Sequence, residues 1–489
     1  MSTRRGLQLA GRCDRLAQRD GGHRLRVDDA RRPQLLTPCD VAGPLAPVDA
    51  AWLRMDTDVN LMMVTAVLWF TTPLDRERFE RVVRERLLAR FPRFATRAVL
   101  GRGRPRWEPV DVDLRHHVSE AVLPAPGDQA ALARLCGTLM GAPLDPHRPA
   151  WQFHLVREYD GGSALIARLH HSLADGIALA RVLLALSDDE AAPDDEAAPD
   201  GRAEGALGTE AGAVDGDSSR RRGLLPALRG AVALARVAGV TVATLGQIAL
   251  LPRDPRSVFR GQLGVAKRAA WADPVSVEEA KALGRACGGT INDVVTAALA
   301  GGLRRYAVER GRPPGDLRAF VPVDLRRGAP VPPQLGNRFG LFLLRLPLGA
   351  RETGLRLRTT RRTIDALKAG PMAVATYTTL ALLGLVPAAV QDLVVRFLAT
   401  KGSAVMTNLP GPRQRVRIAG AELAGVVPWV PQAARVAIGI SVFSYAGRIV
   451  VGVAGDEQVV PDPESVLAAV QDELDELRRV LLTEDLRPR

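Results

Sequence analysis

A chain of 489 residues exceeds what one hydrophobic core usually organises, so more than one lobe is expected. With 47% hydrophobic and 25% charged residues, its composition is that of a globular protein and excludes a fibrous or wholly disordered chain. Residues 188–217 hold eleven acids against one base, Arg202, so the formal charge of +12 leaves about +22 on the remainder. Such a basic body attracts anionic lipid or a phosphate-rich ligand. No aromatic-plus-basic cluster accompanies it, and nucleic acid is not an expected partner. Cys13, Cys39, Cys136 and Cys287 show no paired spacing, which predicts neither a disulfide framework nor a metal site and fits a reducing cytoplasm. The opening Met1-Ser2-Thr3-Arg4-Arg5 lacks the apolar stretch of an export signal, because Arg12, Asp14 and Arg15 follow at once.

Residues 1–44 are Arg-rich and irregular and read as a basic extension with little order. An N-terminal lobe is expected over 45–187. Within it, Val64–Phe70 reads as a buried strand and Asp75–Phe91 as a helix. Gly127–Met140 is a second helix, and Trp151–Arg157 and Ser163–Leu169 are strands joined around Asp160-Gly161-Gly162. Residues 188–222 form an acidic low-complexity linker that ends in Arg220-Arg221-Arg222. Residues 223–257 are a helical crossover, in which Arg229 and Arg236 share one face of an apolar segment suited to anionic lipid or to covering the core.

A C-terminal lobe is expected over 258–489. Thr290–Tyr306 has the strongest helix signature, with Thr290 capping and the acid Asp293 three residues on. Leu317–Val323 and Phe339–Leu346 read as strands. Pro371–Val390 lacks charge and reads as a buried helix rather than a membrane span, given Gly384 and Pro387. Val436–Ser444 and Arg448–Val453 form a hairpin, and Glu464–Leu482 a closing helix. The irregular mixture of strands and helices predicts an α/β or α+β sandwich in two lobes.

The most informative residues are His170-His171-Ser172-Leu173-Ala174-Asp175-Gly176, between a strand and a helix. Histidine titrates nearest neutrality and can both take and return a proton, as acyl transfer to a hydroxyl requires. Adjacent residues on extended chain face opposite ways, so one imidazole faces a reaction channel and the other packs. His171, nearer the turn, is the candidate base and His170 its support. Asp175 either holds the imidazole or pairs with an arginine to fix the turn, and Gly176 lets the backbone bend. The second pair, His116-His117, has neither acid nor glycine behind it and reads as structural.

The motif resembles that of the CoA-dependent acyltransferases, whose fold is similar to chloramphenicol acetyltransferase. Further segments narrow the resemblance to the bacterial wax ester synthase/diacylglycerol acyltransferase family. These are Leu45-Ala46-Pro47-Val48-Asp49-Ala50-Ala51-Trp52, Pro143-Leu144-Asp145 through Trp151, and Thr290-Ile291-Asn292-Asp293-Val294-Val295. Val321-Pro322-Val323-Asp324-Leu325-Arg326, Leu335-Gly336-Asn337-Arg338-Phe339-Gly340 and Thr407-Asn408-Leu409-Pro410-Gly411-Pro412 follow in the family's order, then Val460-Pro461-Asp462-Pro463. The likeness runs from about residue 45 to the end of the sequence.

The resemblance implies a two-lobed sandwich with a central tunnel and O-acyl transfer from acyl-CoA to diacylglycerol or a long-chain alcohol. It makes His171 the general base, Asp175 a structural partner of an arginine, and Asn292 an oxyanion or substrate-positioning residue. Trp151 becomes core or tunnel wall, and Asn337 and Asn408, beside Gly or Pro in loops, are either substrate-tunnel residues or turn formers. Acyl-CoA is a co-substrate and no bound cofactor is implied. A cytoplasmic enzyme lying peripherally on the inner membrane or a lipid droplet follows. Carrier-dependent polyketide acyltransferases, nonribosomal peptide condensation domains and a non-catalytic lipid-surface protein are the rival readings.

Overall fold

The structure, a computed structural model, describes residues 41–101, 104–188, 239, 242–326, 331–368, 372–432 and 434–482. The expected acidic linker beyond residue 188, most of the basic extension and about half of the helical crossover lie outside these residues. In chain order the first elements are β1 (Gly43–Pro44), α1 (Pro47–Arg54), β2 (Met63–Phe70), α2 (Arg76–Val82), β3 (Thr96–Val99), β4 (Arg106–Pro109) and β5 (Val118–Ala121). Next come α3 (Gln129–Met140), β6 (Trp151–Tyr159), β7 (Gly162–His170), α4 (Gly176–Ala185) and α5 (242–250). Then follow β8 (Lys267–Trp271), β9 (Val275–Ser276), α6 (Val277–Ala286), α7 (Ile291–Glu309), β10 (Leu317–Asp324) and β11 (Phe339–Leu346). The remainder are α8 (Thr353–Lys368), α9 (Met372–Leu383), α10 (Ala388–Ala399), β12 (Ala404–Pro410), β13 (Arg417–Ile418), β14 (Ala421–Trp429), β15 (Ile438–Tyr445), β16 (Arg448–Asp456) and α11 (Pro463–Leu482).

Two sheets carry the fold. One runs β13-β14-β2-β7-β6-β5, the other β11-β10-β12-β15-β16-β8 with β9 beside β16. A small third sheet joins β1, β4 and β3. Strand β7 is buried at every position, because β2 and β6 flank it and both its faces are covered. Hence its middle, Ala164 to Ala167, reads as a continuous apolar run rather than an alternating one. In the second sheet, β12 lies parallel to both β10 and β15, and the other pairings are antiparallel. Separate apolar cores fill the two lobes. A third, containing Val67, Ile166 and Trp429 against Trp271 and Val450, seals sheet to sheet.

The chain does not divide cleanly at residue 258. Residues 417–429, from the later half, extend the first sheet by pairing with β2. The helix expected over 371–390 is also interrupted. Chain reversal follows α9 at Gly384, which approaches Pro47 so closely that a Cβ would lie 1.7 Å from its carbonyl oxygen. Pro387 then caps α10, where its missing N–H costs nothing. None of the described helices is long and apolar enough to cross a membrane.

Candidate active site

Strand β7 delivers the histidine pair to the end of the first sheet. The His171 N–H donates to Met62 O at 2.7 Å, prolonging the pairing with β2, and the chain then turns through Ser172–Ala174 into α4. Asp175 caps α4, accepting from Ala178 N at 3.0 Å. Both oxygens of the same carboxylate meet Arg326, at 3.1 Å and 2.5 Å, and Arg338 N donates to it at 2.9 Å. Arg326 also bonds Asp324 at 2.9 Å and Gly336 O at 3.1 Å. Of the two readings left open for Asp175, the geometry takes the arginine pair: it secures the turn and bonds a loop of the opposite lobe rather than the imidazole.

That loop supplies the imidazole's partner. A parallel bridge joins Ala174 to Gly336. Gly336 has φ +112°, a conformation that suits glycine, and at this point the chain swings Asn337 inward. Asn337 Oδ1 lies 3.0 Å from His171 Nδ1. The Asn337 amide donates to Asp49 Oδ1 and to His171 O, each at 2.9 Å. Both are acceptors only, so the Asn337 oxygen must face the ring, and Nδ1 must carry the proton. The lone pair is therefore on Nε2.

Asp49 is held in turn by Arg93 Nη1 at 2.9 Å, and the same nitrogen donates to Leu173 O at 3.2 Å. Burial pushes the Asp49 carboxyl up, opposed by Arg93 and by Asn337. All four side chains are buried. The chain Arg93–Asp49–Asn337–His171 thus fixes the ring by hydrogen bonds that water does not contest.

Two aromatic rings complete the setting. Trp52 stacks on the imidazole at 4.2 Å and 17°, and Phe339 lies 5.4 Å away. His171 is only 5% exposed. Its burial pushes the imidazole down to about 4, with Asp175 acting the other way. The ring is neutral at physiological pH. His170 turns aside, bonding Ser172 Oγ at 2.7 Å through Nδ1 and Asp56 Oδ2 at 3.1 Å through Nε2. Gly176 lies against Leu409, 3.3 Å from where a Cβ would stand.

The remaining candidates divide. Asn337, expected on the tunnel wall, bonds the His171 imidazole instead. Trp151 is fully buried in the core, with its indole N–H on Phe94 O at 2.8 Å, so it packs and lines no passage. His117 stacks on it at 4.1 Å and bonds Trp151 O, a structural role as expected. Asn292, beside the intact Thr290–Asp293 capping box, accepts from Asn408 at 3.1 Å. These two asparagines meet each other, across the start of α7 and the end of β12. Sequence reasoning assigned no role to Asp49, Trp52, Arg93 or Arg326. Three of them lie within segments already singled out, and convergence of those segments on His171 is the signal that could have found them.

Known proteins similar to this chain bear on its family and fold. The family model "Wax ester synthase/diacylglycerol acyltransferase catalytic domain" matches residues 45–295, and the "WS/DGAT C-terminal domain" model matches residues 335–478. A Mycobacterium tuberculosis protein named "Probable diacylglycerol O-acyltransferase" is 29% identical over 448 residues, covering 88% of this chain and 94% of its own. A Mycobacterium bovis relative with a diacylglycerol O-acyltransferase name is 30% identical over 457 residues, covering 89% and 99%. Among solved structures, the wax ester synthase/diacylglycerol acyltransferase of Marinobacter aquaeolei VT8 superposes with TM-score 0.64 at 24% identity, over 90% of this chain and 99% of that one. The first condensation domain of the calcium-dependent antibiotic synthetase gives 0.57 at 19% identity, over 90% and 96%, and shares the fold. The chain belongs to the wax ester synthase/diacylglycerol acyltransferase family.

Proposed function

We propose that this protein transfers a long-chain acyl group from acyl-CoA to the hydroxyl of diacylglycerol or of a long-chain alcohol, with His171 as general base. The observation that carries the reading is the Asn337 oxygen on His171 Nδ1, which leaves Nε2 as the unprotonated nitrogen. Nε2 takes the hydroxyl proton as the alcohol oxygen attacks the thioester carbonyl. The tetrahedral intermediate collapses with cleavage of the carbon–sulfur bond, and the imidazolium returns its proton to the departing CoA thiolate. No acyl-enzyme is needed: Cys136 is buried with its thiol pushed well up by desolvation.

Asp175 with Arg326 holds the turn in this reading, and Asn292 with Asn408 positions substrate near the start of α7. Acyl-CoA serves as co-substrate, and no bound cofactor is required. Because both acceptors partition into lipid, the enzyme works peripherally on a membrane or lipid droplet. The test is turnover of palmitoyl-CoA with hexadecanol and with dioleoylglycerol, the products resolved by thin-layer chromatography. His171→Ala is expected to lower turnover by about 10²–10⁴-fold without loss of fold. Activity near wild type would reject the mechanism, and turnover only with carrier-bound acyl donors would reject the CoA assignment.

A further inference from the structure

Helix α10 buries a polar residue and turns apolar side chains outward, alongside one exposed ion pair, Asp392 with Arg396. Its polar Gln391 is 2% exposed and donates through Nε2 to Ala51 O at 2.7 Å. Its apolar Val390, Leu393 and Phe397, spaced as one helical stripe, face outward. The turn before it exposes Leu385 (68%), and α9 exposes Leu382 and carries no charged residue. Beside the far end of α10 lies the end of α5, held by Lys401 Nζ on Ala249 O and Leu251 O at 2.9 Å and 2.6 Å, with Leu250 86% exposed. Among the described residues, eight of the thirteen exposed large apolar side chains fall on α5, α9, α10 and the α9–α10 turn. A concentration of this kind marks an interaction surface.

We infer that this face docks on an anionic phospholipid surface. The inference rests on the proposed function, whose acceptors reside in lipid, and it names the surface that meets them. Charge favours this occupant over a second protein copy. Arg253 and Arg256 are exposed immediately after α5, where residue 254 bonds Thr400 O at 2.9 Å at the end of α10. Cations thus rim an apolar stripe, as on helices that lie in a membrane interface. The location also matters. Arg54 at the end of α1 donates to Gly384 O and Val386 O at 3.3 Å and 3.1 Å, and Gln391 holds the same helix. Helix α1 carries Trp52, the ring stacked on His171. The inner side of α9 closes the same cluster, with Leu380 packed beside Trp52 and Phe339. The lipid-facing hairpin is therefore one helix away from the base.

The test is co-sedimentation of the full chain with vesicles of phosphatidylcholine containing a minor share of phosphatidylglycerol. The triple variant Leu385→Asp, Leu393→Asp, Phe397→Asp is expected to lower vesicle affinity by about tenfold or more. Its thermal midpoint and its turnover of detergent-dispersed short-chain substrates should stay at wild-type levels. A second variant, Arg253→Glu with Arg256→Glu, should lose about tenfold on these vesicles and nothing on purely zwitterionic ones. Sedimentation is read without turnover, so failure of the acyltransferase reading and failure of the docking surface are separable. A wild-type chain that stays in the supernatant overturns the inference, as does a triple variant that pellets like wild type. A dimeric wild type and a monomeric variant, both pelleting equally, would give the face to a second copy and equally overturn it.

Discussion

The indole of Trp52 lies over the imidazole of His171, ring centres 4.2 Å apart and planes 17° from parallel. A ring that covers a base also desolvates it, and desolvation disfavours the charged imidazolium. Trp52→Leu should therefore let the His171 imidazole rise from about 4 toward its ordinary range. In a pH profile of kcat/KM, the wild-type rate should hold down to about pH 5, whereas the acid limb of the variant should begin nearer 6.5. Superimposable acid limbs would show that Trp52 does not set the proton affinity of the His171 imidazole.

Under the proposed mechanism Asn337 fixes the tautomer rather than touching reactants, so Asn337→Ala should lower kcat by about 10²-fold and leave KM nearly unchanged. Asn337→Gln restores the amide but not its reach and should recover little. A rise in KM with unchanged kcat would instead return Asn337 to the substrate-binding wall.

The Arg326–Asp175 pair is buried on both sides, and Arg326 also meets Asp324 and the carbonyl of Gly336. Arg326→Met leaves two carboxylates without their cation, one of them deeply buried. Unfolding in denaturant should show a loss of about 3–5 kcal/mol, the range found when one member of a buried pair is removed. Activity should fall together with stability, because the loop that presents Asn337 is tied down by the same arginine. Activity lost at wild-type stability would point to a direct chemical role.

Acid stability follows from two desolvated imidazoles, His171 buried and His154 half-buried. Burial pushes both His171 and His154 down to about 4, against about 6.5 in an unfolded chain. As pH falls below 6.5, the unfolded state takes up protons that the folded state refuses, so stability drops through the window from 6.5 to about 4. The thermal midpoint should decline across that window, with the slope reduced in His154→Phe. A midpoint flat down to pH 4.5 would contradict the burial-driven shift.

Much of the secondary structure was legible because near neighbours decide it. The hairpin of β6 and β7, the capping box at Thr290 and Asp293, and the strand Phe339–Leu346 each announce themselves through periodicity or a cap within a few residues. Strand β14 was not read. It pairs with β2, some 360 positions away in sequence, and nothing local signals a partner so distant. The break between α9 and α10 was half visible in Gly384 and Pro387. What makes it a turn is the contact of Gly384 with Pro47 on another helix.

By itself, the sequence determined which side chain could act as base, that Asp175 would close its turn, and which family's ordered motifs the chain carries. These follow from residue chemistry and short-range geometry. Only the tertiary structure decided which of three asparagines reaches the imidazole, which arginine answers Asp175, and that Trp151 is core. Those contacts join residues as far apart as Asp49 and Asn337, and burial in a shared interior, rather than spacing along the chain, selects them.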